Sequence, residues 1–333
     1  MKAQVLESKA SPFVLKDVPM PIVNAGDVLV RLKASAMNHR DLYIRQGTYP
    51  RTNYPIIIGS DGSGVVEDVA ASVSRSLIGS SVVINPGHNW GTNPNAQQRE
   101  FKILGLPDNG TLAEYIAVPA KYILPKPEYM SFEEASALML VGVTAYRALF
   151  TRGSVQRGES VLITGIGGGV ALTALQFALA AEAKVFVTSG SDAKIEKAML
   201  LGAAGGVNYK SAPWAIDLAK LSNGFDLIVD GAAGAEFGKL LDVASPGGRV
   251  VVYGSVQGKI QNAEAARIYW KQLSILGSTM GTEEECAAML AFAEAHRVKP
   301  IIDSVFRFED ADAAMKRMES GEQFGKIVLR NDQ

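Results

Sequence analysis

The sequence is poor in the residues that build metal and disulfide frameworks. Its 333 residues include one cysteine, Cys286, and three histidines, so an intrachain disulfide and any cysteine-rich metal cluster are excluded. A surplus of charge is missing too, because 33 basic residues face 34 acidic ones for a formal net charge of −1. That balance leaves no electrostatic footprint for nucleic acid or an anionic membrane. A phosphate-bearing ligand must then be held by local chemistry. No window offers the roughly 18 uninterrupted apolar residues of a membrane span, and the opening MKAQVLESKA lacks the apolar core of a secretion signal. A soluble chain in the cytoplasm is the expectation.

What is present is ample core material. Hydrophobic residues make up 47% and charged residues 20%, over a length that argues for two domains. Residues 28–37 alternate in part, and 62–69 and 80–84 are β-rich runs bounded by glycine and serine. Residues 85–110 are crowded with Asn, Gly, Pro and Gln, which predicts a long surface lobe. The period changes at Ser131. With Glu134 three positions on, it forms a capping-box signature ahead of helix-spaced apolar residues that run to 150. Strand and helix then alternate. VLITG (161–165), KVFVT (184–188), FDLIVD (225–230) and GRVVVYG (248–254) are continuous β-rich runs, as in strands buried on both faces. Helical patterns follow the first two, the second over 192–203. Repeated units of this kind make an α/β fold with a doubly wound parallel sheet. Beyond about 272 come strand-like SILGSTM, a helical pattern over 283–297 and a closing strand GKIVLR.

The segment Gly165-Ile166-Gly167-Gly168-Gly169-Val170-Ala171 joins a strand to a helix. Glycines there allow a tight turn and a close approach of backbone to pyrophosphate, and the helix start offers free N–H groups. Its register is not a literal G-x-G-x-x-G, since the sixth position is Val170. A plain glycine-rich turn is the alternative, but the strand–loop–helix setting favours a dinucleotide.

This loop resembles the G-x-x-G-G-V-G/A loop of the medium-chain dehydrogenase/reductase superfamily. Further landmarks recur in order: IIGSDGSG (57–64), GTLAEYIAVPA (110–120), VGVTAYRAL (141–149) and GKIVL (325–329). The resemblance spans nearly the whole chain. It implies a GroES-like β-rich catalytic domain built from 1–124 and 272–333 around a Rossmann domain of 125–271, with the active site in the cleft. It also implies a homodimer paired through edge strands, for which SILGSTM (274–280) is the candidate.

In zinc-dependent members the catalytic metal is held at positions that match Asn38, Ser60 and Leu140, none of which is a plausible zinc ligand. A lobe like 85–107 carries a second zinc on four cysteines in such relatives, yet here it holds none, and His88 stands alone. The resemblance therefore points to the zinc-free quinone and enone reductases. In those, the stretch matching NHRDLYIRQGTY (38–49) lines the nicotinamide cleft. Asn38, Tyr43 and Tyr49 become candidate donors to the substrate, Arg45 a donor or positioning residue, and Asp41 an organiser of the loop. Tyr43 and Tyr49 could equally be packing aromatics. His39, Thr144, Gly254 and Ser255 match cofactor-side positions. Ser278 and Met280 either edge the substrate pocket or pack in core or dimer, and Cys286 is structural.

The cofactor expected is NADPH. NAD enzymes carry an acid about 20 residues past the glycine loop to bind the ribose hydroxyls. Ser189 occupies that place and Lys194 follows it, which removes a repulsion from the 2′-phosphate and adds an attraction. Tyr209 matches a tyrosine that flanks this phosphate in the resembling reductases. Two other readings stay open: an alcohol or aldehyde dehydrogenase of the zinc type with an unusual ligand set, and a cofactor-binding protein without turnover.

Overall fold

The computed structural model describes residues 1–331. The chain divides into two units, one of residues 1–140 with those from 281 onward, the other of residues 141–280. Both limits fall further along the chain than the sequence-based ones. The first lies inside the helix Phe132–Tyr146, whose start carries the expected box: the Ser131 amide donates to Glu134 Oε2 at 2.9 Å, and the Glu134 amide to Ser131 Oγ at 3.2 Å. The helix continues as a π-helical stretch, Arg147–Arg152.

The second unit is a six-stranded sheet, ordered Gly205–Asn208, Lys184–Ser189, Ser160–Ile163, Phe225–Asp230, Ala244–Val252, Ser274–Gly277. Every pairing is parallel. The first strand in the chain lies inside the sheet and the order reverses beside it, which puts a ligand crevice at its carboxyl end. Val161, Leu162, Ile163, Leu227, Ile228 and Val229 are all sealed from water. Two covered faces explain why these strands read as unbroken apolar runs. Continuous β-branched strands and intervening helices thus build the doubly wound fold.

The first unit is β-rich. Its main sheet runs Ile302–Arg307, Lys326–Arg330, Asp27–Ala36, Asp61–Val69, Ser81–Ile84, Ile123–Pro125, with Tyr115–Pro119 added on Asp27–Ala36. Along Asp27–Ala36, Val28, Val30, Leu32, Ala34 and Ala36 are buried while Arg31 and Lys33 are half-buried. That is the period of a strand with one face on a core. Lys326–Arg330 pairs antiparallel with residues 34–36 and parallel with Ile302–Arg307, so a late strand completes a sheet begun near residue 27. The lobe of 85–110 holds two short strands, Gly87–His88 and Lys102–Ile103. Aromatic contacts fasten it: His88 stacks on Tyr122 with centroids 3.8 Å apart, and Trp90 meets Phe101 edge-on at 5.2 Å.

Candidate functional site

In the second unit the glycine loop leaves the strand Ser160–Ile163 and enters the helix Gly169–Ala180. Gly165 and Gly167 adopt φ of 66° and 124°, a region that favours glycine. A Cβ on Gly165 or Gly168 would meet nothing within 4 Å, so open space lies over the backbone there. Val170 and Ala171 sit in the first helical turn, where amides lack intrahelical partners. The next strand stitches the loop in place. The Ile166 amide donates to the Thr188 carbonyl at 2.8 Å, and Ser189 Oγ donates to the Ile166 carbonyl at 3.3 Å. Ser189 is therefore a buried strut under the loop, a role the sequence did not show.

Lys194 lies over the loop, since a Cβ on Gly167 would come within 2.8 Å of its Cδ and 3.3 Å of its Nζ. Beyond the strand end, a Cβ on Gly190 would come within 2.8 Å of Tyr209 Oη and 2.9 Å of Lys210 Cε. Lys194 thus flanks the loop, while Tyr209 and Lys210 border the strand end from which a carboxylate is missing. Lys210 escaped the sequence reading, although the VNYK run that flagged Tyr209 contains it. Asp192 accepts from Asn208 Nδ2 at 2.9 Å. Thr164 Oγ1 donates to Asp230 Oδ1 at 2.6 Å, and the Ala232 and Ala233 amides donate to the same carboxylate. This sets the carboxyl ends of the two central strands side by side. Gly254 approaches the Gly231 carbonyl so closely that a Cβ would lie 2.9 Å from it, and Ser255 is exposed beside it. Thr144 is buried, with Oγ1 3.9 Å from Met280 Sδ. Open space and helix-start amides together fit the pyrophosphate of a dinucleotide.

In the first unit, Asn38 precedes the helix His39–Arg45, and Asp41 turns back to accept from the Asn38 amide at 2.8 Å. Asp41 is the expected organiser. Burial pushes its carboxyl up against the opposing pull of Arg40, and its Oδ1 has no partner. Asn38 Oδ1 accepts from Lys326 Nζ at 2.6 Å, and Asn38 Nδ2 donates to Asp61 Oδ2 at 2.9 Å. Lys326 also donates to Asp61 Oδ2 at 3.0 Å, while Asp61 Oδ1 takes the Leu140 amide at 2.8 Å. Ser60 is engaged as well: Arg40 Nη1 donates to its Oγ at 2.5 Å and to the Leu104 carbonyl at 2.8 Å. Two of the three positions where relatives hold zinc thus face buried cations, and the third offers a leucine.

Arg45 is committed elsewhere, its Nε on the Ser11 carbonyl at 3.1 Å and its Nη2 3.2 Å from Asp312. Those partners tie it to two other segments, while its Nη1 is buried without a partner. Tyr49 lies under the Arg40 guanidinium, 5.1 Å from ring centroid to carbon. Tyr43 is half-buried and tilts against His39 with centroids 6.5 Å apart. Cys286 is sealed, and burial with the nearby Asp61 pushes its thiol up to about 12. No group of three or more His, Cys, Asp or Glu among the described residues could hold a metal ion, and no described helix is long and apolar enough to cross a membrane. The donor set does not fit zinc.

A parallel six-stranded sheet with an open glycine loop, on a chain whose other unit is β-rich, defines a class of dinucleotide-dependent oxidoreductases. Residues 24–128 match the family described as alcohol dehydrogenase GroES-like domain, and residues 169–295 match zinc-binding dehydrogenase. The chain belongs to the medium-chain dehydrogenase/reductase superfamily. It is 34% identical, over 96% of its length and 94% of the relative, to the zinc-type alcohol dehydrogenase-like protein YogA of Leptosphaeria maculans. An acryloyl-coenzyme A reductase of Sulfurisphaera tokodaii is 28% identical over 99% of this chain and 100% of its own. A solved structure of an NAD-dependent alcohol dehydrogenase superposes with a TM-score of 0.93 at 34% identity, covering 99% of this chain and 100% of that one.

Proposed function

We propose that the chain is a zinc-independent, NADPH-dependent reductase of quinones or α,β-unsaturated carbonyls. The observation that carries this reading is the pair of buried cations, Lys326 on Asn38 and Arg40 on Ser60. A dication placed there would meet two like charges and oxygens already engaged. Oxidation of a simple alcohol then lacks the Lewis acid that favours its alkoxide. An activated acceptor needs less, because fixed donors and charge suffice to hold the negative oxygen that develops on it. The bound nicotinamide supplies the hydride. Lys194 with Lys210, beside a strand end that carries no carboxylate, favours the 2′-phosphorylated cofactor. The acryloyl-coenzyme A reductase is by its name an enzyme of activated alkenes. The zinc-type and NAD-dependent names of other relatives favour the second reading, alcohol or aldehyde redox.

One set of measurements separates these. The purified chain is expected to contain no stoichiometric zinc and to oxidise NADPH with quinones or enals in the presence of a chelator. About one zinc per chain, with activity lost on chelation, overturns the proposal in favour of the zinc-type dehydrogenase. Tight NADPH binding without turnover on any acceptor overturns it in favour of a non-catalytic binding protein.

A further inference from the structure

Glycine follows aspartate or asparagine at four steps of the chain: Asp61-Gly62, Asn109-Gly110, Asn223-Gly224 and Asp230-Gly231. At such a step the glycine amide nitrogen can attack the side-chain carbonyl carbon, because no Cβ hinders its approach. Folding decides which steps react, since the attack needs a free side chain, a free amide and room to turn. Asp61 and Asp230 are sealed from water, and the Gly231 amide donates to Thr164 Oγ1 at 3.2 Å. Asn109 is exposed but tied down twice. Its Oδ1 accepts from the Ile57 amide at 3.1 Å, and the Gly110 amide donates to the Ile57 carbonyl at 2.7 Å. Asn223 differs. It is exposed in the turn from the helix Trp214–Leu221 to the strand Phe225–Asp230. Neither its side chain nor the Gly224 amide has a hydrogen-bond partner among the described residues.

The surroundings suit the reaction. Gly224 has a φ of 126°, and Ser222 Oγ donates to its carbonyl at 2.8 Å, which holds the carbonyl and leaves the amide loose. The step borders a cleft of about 420 Å³ that Lys184, Lys220 and Asp226 also line. Asp226 is engaged with the Ser160 amide at 2.9 Å, and Lys220 with Asp217 at 2.8 Å. Positive charge nearby favours the anion formed when an amide gives up its proton.

We propose that Asn223 is a site of spontaneous deamidation in the folded chain. The Gly224 amide nitrogen loses its proton to water and bonds to Asn223 Cγ. The bond from Cγ to the side-chain nitrogen breaks, that nitrogen leaves as ammonia, and a succinimide ring remains. Water then adds to either ring carbonyl, and opening gives aspartate or isoaspartate. No oxidant or reductant takes part. Isoaspartate places an extra carbon in the main chain just before Phe225, which is sealed from water and pairs with Ala244. It is also the chemical group that a protein isoaspartyl carboxyl methyltransferase recognises.

The test ages the full chain at mildly alkaline pH, then maps its tryptic peptides by mass spectrometry. Peptide 221–239 is expected to gain the mass of an amide-to-acid change. Peptide 103–121, whose Asn109 must first be released by local opening, should convert at least about tenfold more slowly. In chain aged in urea the two should convert at similar rates. Isoaspartyl methyltransferase with labelled S-adenosylmethionine should label aged wild type and leave aged Asn223→Gln unlabelled. Aged wild type should also melt below Asn223→Asp, which carries the charge without the longer main chain. Equal conversion of both peptides in the folded chain overturns the inference, as does label of equal strength in Asn223→Gln. An unchanged peptide 221–239, over a time in which the urea-treated chain converts, overturns it too. Each readout is independent of enzymatic activity.

Discussion

Lys326 and Asp61, 265 positions apart in the chain, meet at 3.0 Å with 4% and 0% of their side chains exposed. Neither charge is left to itself, because Asn38 and the Leu140 amide complete the shell. Removing one partner strands the other in the interior, a change that typically costs about 3–5 kcal/mol. Lys326→Met and Asp61→Asn should each lower the urea midpoint accordingly. The double change Asp61→Asn with Lys326→Met should lose less than the sum of the two. Additive losses in urea titrations would show that the pair is not coupled.

Cofactor choice should reside in Lys194 and Lys210. A charge-assisted hydrogen bond contributes roughly 1.5–3 kcal/mol, so Lys194→Ala should weaken NADPH about 10- to 100-fold and leave NADH nearly untouched. Lys210→Ala should act in the same direction. Fluorescence titrations with both cofactors check this, and equal losses for the two would remove the lysines from the 2′-phosphate.

The tyrosines separate by what they touch. Tyr49→Phe keeps an aromatic face under Arg40 and should change kcat less than about threefold, whereas Tyr49→Leu loses a contact of about 0.5–2 kcal/mol. Tyr43→Phe tests the hydroxyl alone, with about a tenfold loss expected if it shares the oxyanion. Steady-state kinetics with one quinone and one enone measure all three.

Burial holds the His88 imidazole down to about 4, helped by the charge of Lys102. A depressed histidine is stable as the neutral base, so its contribution is complete above the ordinary value of about 6.5. It is lost as pH falls through the window between about 6.5 and 4, because the unfolded chain takes up the proton first. The melting temperature should therefore drop across this range. His88→Phe, which keeps a flat ring against Tyr122, should flatten that part of the profile. An unchanged slope in the variant would assign the acid loss to other groups.

The strand Ser274–Gly277 ends its sheet and pairs on one side only, with Ala244–Val252. Ile275 on that strand, with Tyr269 and Trp270 just before it, is exposed. An open apolar edge favours pairing with a second copy, so light scattering at micromolar concentration should report a homodimer. A monomer there would count against this edge as an interface.

Much of the fold could be read from local pattern. The strands Lys184–Ser189 and Phe225–Asp230 carry apolar cores, Val185–Val187 and Leu227–Val229, because both faces are covered, and the helix at Ser131 announces itself with its box. The helix His39–Arg45 was overlooked, although Asn38 with Asp41 three residues later is a usable start signal. The site was less legible, for a geometric reason. Ser60 looks like an empty ligand position until Arg40, 20 positions away, is seen to fill it. Asn38 looks like a free donor until Lys326 arrives from a distance of 288. The resemblance leaves Arg45 as a donor or a positioning residue, and its ion pair appears only when the helix Ala311–Glu319 brings in Asp312.

Synthesis runs from the N-terminus, so Asp61 emerges from the ribosome long before Lys326. Through that interval the carboxylate has no ammonium to meet, and the strand Asp61–Val69 cannot be closed over it without stranding a charge. A chain stopped before Lys326 would leave that carboxylate without its cation and Asp27–Ala36 without one of its neighbouring strands.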